Sequence, residues 1–183
     1  AHGHIMSLLD KHVDYIFYPC MPYNFDEGIS DNNYNCPVVA YYPELLAANI
    51  PGLKQTRFLT PYMGLHRPKD FKHRSARYFR KEMGIDFSEV GFAVDLAYKA
   101  YEKWHRSIVS AGERMIEEAR LKGSRILVLC GRPYHIDPEI SHGIDELCAE
   151  YGFVILSEDA LSDRLKKEKR TVLNQWTYQA RMY

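Results

Sequence analysis

An α/β fold built of Rossmann-like lobes, with short parallel sheets joined by a long helix, is what this sequence predicts. Three observations predict it. Short apolar runs alternate with helix-forming stretches in the first third of the chain. Near the other end, Arg125-Ile126-Leu127-Val128-Leu129-Cys130 is followed by a glycine turn, a helical stretch and a second apolar run, Phe153-Val154-Ile155-Leu156. Between the two regions an unbroken helical pattern spans about residues 87–121.

The elements follow in order. His4-Ile5-Met6-Ser7-Leu8-Leu9 belongs to a helix over about 3–12, and VDYIFYP gives a strand over 13–18. The polar, turn-rich stretch MPYNFDEGISDNNYN then separates two cysteines. PVVAYY reads as a second buried strand over 37–41, and PELLAAN as a helix beginning near Pro43, where proline suits a first turn. Ile50-Pro51-Gly52 breaks that helix, and Arg57-Phe58-Leu59-Thr60-Pro61 is a third short strand. Strands alternating with helices argue for parallel βαβ construction.

A helix over 68–82 follows, rich in Lys and Arg, and Gly84 is its expected stop. The longest helix starts at Asp86, with Glu89 placed for a capping box. Its apolar positions Val90, Val94, Ala97, Tyr101, Trp104, Ile108, Ala111 and Met115 step by three and four and define one core-facing stripe. This helix either joins two lobes or lies across a single sheet. The second lobe is the β-turn-α-β unit, with a helix from about Pro138 to Tyr151 closed by Gly152. The organisation expected is a first lobe over 1–66, a helical connector over 67–123 and a second lobe over 124–183. The chain starts without Met inside a helical pattern and ends in another, RTVLNQWTYQARMY, so a fragment of a longer protein is expected. A tag-derived start is the alternative.

Composition bounds the function. The 183 residues are 46% hydrophobic, enough for a substantial core, yet no apolar run approaches the roughly 18 residues that span a bilayer. A formal net charge of zero gives no electrostatic argument for nucleic acid or membrane. Four cysteines in so large a core imply no disulfide scaffold, and a reducing cytoplasm is the simpler expectation.

Two places carry possible chemistry. Cys20 and Cys36 each touch a proline at the edge of an apolar run, which puts two thiols at a loop mouth on strand ends. Thiolates suit iron–sulfur clusters, but a cluster normally takes three or four, and packing as small hydrophobes is the competing reading. Cys130 ends a strand beside a glycine, and Cys148 is expected in the core. The second place is the turn Gly131-Arg132-Pro133-Tyr134-His135-Ile136-Asp137. Arg132 offers a guanidinium fork and His135 a titratable donor, so a phosphate or carboxylate is expected there. A local Arg132–Asp137 ion pair, with Asp137 or His135 as a helix cap, is the alternative. G-x-G-x-x-G is absent, as are a P-loop, H-E-x-x-H and any Ser–His–Asp order. The basic stretch from Arg67 to Lys81 is read as a solvated helix face, and Asp26, Glu27 and Asp31 match no calcium loop.

The strings HGHIMSLLDK, VDYIFYPCMPYNFDEGISDNNYNCPVVAYYPELL and ILVLCGRPYHIDPEISHGID resemble the uncharacterised region of large bacterial activase-related proteins. There, ATPase modules akin to the activator of 2-hydroxyglutaryl-CoA dehydratase are fused to a region similar to the dehydratase subunits. The resemblance implies Rossmann-like lobes around a 4Fe–4S cluster held by cysteines, and an ATP-driven partner that delivers one electron. It makes Cys20, at the end of YPC, the better match to a cluster ligand and Cys36 the weaker one. It further implies that the remaining ligands lie outside these 183 residues, so that no cluster is expected in this chain alone. The partners it implies are an ATP-dependent activase module and an acyl-CoA or other small anionic substrate. A non-catalytic docking or regulatory domain without a cluster is the other expectation.

Overall fold

A computed structural model describes residues 1–164, 166 and 173–182. The chain is α/β, with short parallel strand pairs and one long helix. It divides into two compact units, one of residues 1–27 and 32–94 and one of residues 28–31 and 95–183.

In the first unit, α1 (His2–Asp10) leads to β1 (Tyr15–Phe17), which pairs in parallel with β3 (Arg57–Leu59). β2 (Cys20–Tyr23) pairs in parallel with β4 (Tyr62–Gly64). The two ladders are nearly continuous: Tyr18 N–H donates to Leu59 O at 2.9 Å and Cys20 N–H to Pro61 O at 2.9 Å. Pro19 lies between them and has no N–H to give, which is why one strand becomes two. The sequence predicts no strand over β2 or β4.

The crossover between β1 and β3 contains α2 (Pro37–Asn49). This corrects the expected strand over 37–41: PVVAYY is the first half of a helix. Pro37 costs nothing at a first helical position, and Val38 and Val39 each cost only about 0.5 kcal/mol in helix propensity. Ala40, Pro43 and Leu46 are buried while Val38, Val39 and Tyr41 stay exposed, a helical spacing that outweighs the β-branched composition. Leu46 packs with Ile5, Ile16, Ile50 and Leu53 into the core of this unit. α3 (Pro68–Met83) ends as expected at Gly84, whose φ of 71° lets its N–H reach Arg80 O at 3.1 Å.

α4 (Phe87–Lys122) supplies the last residues of the first unit and the first helix of the second. Its buried stripe differs from the expected one. Val90 and Val94 are buried, but further along the buried positions are Val109, Gly112, Ile116 and Ala119, with Trp104 and Met115 exposed. The expected series repeats every 3.5 residues. A straight α-helix turns every 3.6, so the stripe drifts by about 20° per seven residues and moves one position along.

The second unit holds β5 (Arg125–Leu129) and β6 (Phe153–Ser157), parallel and in register from Arg125 opposite Phe153 to Leu129 opposite Ser157. The connection is broken up. A 3₁₀ turn (Pro133–Ile136) leads to α5 (Pro138–Ser141), and only then comes α6 (Ile144–Glu150). The expected continuous helix over 138–151 is interrupted because His142 and Gly143 are both left-handed, at φ 53° and 74°. Gly152, at φ 80°, closes α6 as expected. After β6 a 3₁₀ segment (Glu158–Arg164) follows, and α7 (Thr177–Arg181) lies near the end. Part of the helical pattern expected over 170–183 falls outside the described residues; Leu173–Gln175 are not helical.

Candidate functional site

The cysteine loop is closed by Asn35. Its backbone N–H donates to Pro22 O at 3.0 Å and its side-chain amide to Met21 O at 2.9 Å. The segment bearing Cys36 is thereby held against the strand bearing Cys20. Cys36 is half-buried and is the residue from which α2 starts, rather than a strand end.

Cys20 is wholly buried. Its nearest polar neighbours come from α2 and β4, which the sequence reading did not single out. The Tyr62 hydroxyl donates a hydrogen bond to Glu44 Oε1, and both groups lie near the thiol. Burial pushes the Cys20 thiol up, and the Glu44 carboxylate adds to the effect against the pull of the Glu44 N–H and the Tyr62 hydroxyl. Tyr62 is itself pushed up to about 12, chiefly because the neutral phenol is the donor that Glu44 accepts. Cys20 is therefore a protonated thiol at neutral pH.

A cluster ligand must be a thiolate. Here the charge of a Cys20 thiolate would be created out of water and beside a carboxylate. Among the described residues no three of His, Cys, Asp and Glu converge in an arrangement able to hold a metal ion. The residues described do not fit a self-contained iron–sulfur site. Cys130 is exposed, and Cys148 is half-buried, not in the core as expected.

The second place is the carboxyl end of the β5–β6 pair. The Arg132 N–H donates to His135 Nδ1 at 2.9 Å, so the imidazole folds back over the turn. This close approach requires glycine at 131, since a Cβ there would collide with the His135 ring. Of the caps expected, Asp137 serves: its Oδ1 accepts the Glu139 N–H at 2.9 Å. The 3₁₀ turn and α5 are four residues each, too short for a helix dipole of consequence. What the turn offers an anion is the Arg132 side chain and the remaining ring nitrogen of His135.

Directly after β6 stands Glu158, only 5% exposed, whose Oε1 has no hydrogen-bond partner among the described residues. Burial raises its pKa and Asp159 adds to the rise, while the N–H of Glu158 itself, the Arg181 guanidinium and the Gly131 N–H pull the other way. Arg181 is buried and forms an ion pair with Asp159. One helical turn before Arg181, Thr177 is 1% exposed, and its Oγ1 also lacks a partner among the described residues. Glu158 and Thr177 were missed by the sequence reading, although an acid directly after the second strand of a β-turn-α-β unit was a readable signal for the first of them.

Comparison with known families settles the affiliation. The model of the CoA enzyme activase uncharacterised domain (DUF2229) matches residues 1–161. The chain belongs to that family. The match runs through both cysteine-bearing segments, the Arg132–His135 turn and Glu158. No curated protein and no solved structure matches the chain.

Proposed function

We propose that this chain is a non-catalytic α/β binding and docking domain of a CoA enzyme activase-related protein. Its partner is the ATP-dependent activase module, and a small anion is held by Arg132 and His135. The observation that carries this reading is the state of Cys20. A fully buried side chain under a Tyr62–Glu44 hydrogen bond packs a strand end as a small hydrophobe does.

Native-state alkylation tests it. With limiting iodoacetamide at neutral pH, the exposed Cys130 is expected to be modified first, with Cys20 modified only on unfolding. Peptide mapping that finds Cys20 alkylated as fast as Cys130 in the folded protein would contradict the packing role.

One observation favours a second reading, an iron–sulfur component of dehydratase or reductase type that accepts an electron from the activase module. Asn35 brings the segments of Cys20 and Cys36 together at one loop base. In that reading further cysteines come from outside this chain, and Tyr62 and Glu44 must move away from Cys20.

A further inference from the structure

In open α/β sheets, ligands collect beyond the carboxyl ends of the strands. An acidic residue after the second strand of the unit is placed to accept the hydroxyls of a ribose. Glu158 occupies that position with respect to β5 and β6. Two further observations single it out. Its Oε1 is buried without a donor, and so is Thr177 Oγ1, one helical turn from the Arg181 that pairs with the adjacent Asp159. A buried polar atom left unpaired is costly, so two of them on elements joined by the Arg181–Asp159 pair form a feature that a hydrogen-bonding ligand relieves.

The geometry points to a site for a nucleoside monophosphate at this edge, with the vicinal ribose hydroxyls on Glu158 and Thr177 and the phosphate on Arg132 and His135. The inference rests on reading the Arg132–His135 turn as an anion site; it adds the sugar. The chemistry is complementary at both ends. Glu158 Oε1 accepts from one hydroxyl, Thr177 Oγ1 pairs with its neighbour, and a guanidinium donates to a phosphate. Gly131 is one residue from Arg132, and its N–H favours the charged form of the Glu158 carboxylate. The absence of a side chain at 131 leaves the backbone open to close approach. Glu158, Thr177 and Arg181 are all buried, so ligand access requires α7 to shift.

Calorimetric titration of the chain with adenosine 5′-monophosphate, its 2′,3′-dideoxy analogue, adenosine and inorganic phosphate separates the parts. The monophosphate is expected to bind at least ~10-fold more tightly than phosphate, and loss of both ribose hydroxyls to remove that advantage, as expected for one or two good hydrogen bonds. Glu158→Gln is expected to weaken the monophosphate while leaving phosphate unchanged. Arg132→Ala is expected to weaken monophosphate and phosphate together while sparing adenosine. Equal binding of the monophosphate and its dideoxy analogue overturns the ribose site and leaves the anion site standing. Adenosine binding as tightly as the monophosphate, with Arg132→Ala silent, overturns the anion site and keeps the ribose contact. No binding of any of the four overturns both. The dideoxy comparison uses the unaltered protein, so it holds even if a variant fails to fold.

Discussion

Glu158 and Cys20 are both pushed toward their neutral forms by burial, and each has a consequence that a single substitution exposes. For Glu158 the folded-state pKa lies above the ordinary 4.5, so the fold binds its proton more tightly than the unfolded chain does. Its stabilising contribution is complete below the ordinary carboxylate range and is lost as pH rises through the folded value. Glu158→Gln keeps the shape and removes the titration. In urea denaturation the variant is therefore expected to be more stable than the parent at pH 7, by a margin that closes as the pH is lowered below the ordinary carboxylate range. A margin independent of pH would mean that Glu158 does not titrate in the fold.

At the scale of elements, α4 holds two buried glycines with opposite expectations. In a helix interior glycine is about 1 kcal/mol worse than alanine, so propensity alone favours replacement at both. At Gly112 a Cβ would stand 2.7 Å from Ala160 Cβ and 2.9 Å from the Ala160 carbonyl oxygen. Backbone cannot yield as a side chain does, and overpacking of this kind costs about 1–3 kcal/mol. Gly112→Ala is expected to destabilise. At Gly91 the nearest atom, at 2.9 Å, is Lys72 Cε, the far part of a flexible side chain. Gly91→Ala is expected to be neutral or stabilising by up to about 1 kcal/mol, and thermal denaturation of the pair checks the contrast. The same element shows what was legible in the sequence. Length, stop signals and the strong apolar runs at β5 and β6 were readable because each is local: Gly84 and Gly152 close helices through their own backbone conformation. The stripe on α4, the helix hidden in PVVAYY and the strands β2 and β4 were not, because each depends on what packs against it. Val38 and Val39 look like strand residues until Leu46 and Ala40 are known to share a buried face. The site divided in the same way. Arg132 and His135 announced themselves through chemistry in a glycine turn, whereas Glu44, Tyr62 and Thr177 matter only through neighbours distant in sequence.

For the molecule as a whole, membership in the CoA enzyme activase uncharacterised domain family names no activity, so function is read from the sites. None of its helices is long and apolar enough to cross a membrane among the described residues. We propose that Cys20 builds the fold rather than a metal centre. The most direct test is anaerobic reconstitution with iron and sulfide, in the presence of the ATP-dependent activase module, followed by iron counting and electron paramagnetic resonance. Parent and Cys20→Ser are expected to give the same result, with no stoichiometric iron that depends on Cys20. A stoichiometric cluster signal in the parent that disappears in Cys20→Ser, with the variant still folded, would contradict the account and make Cys20 a ligand.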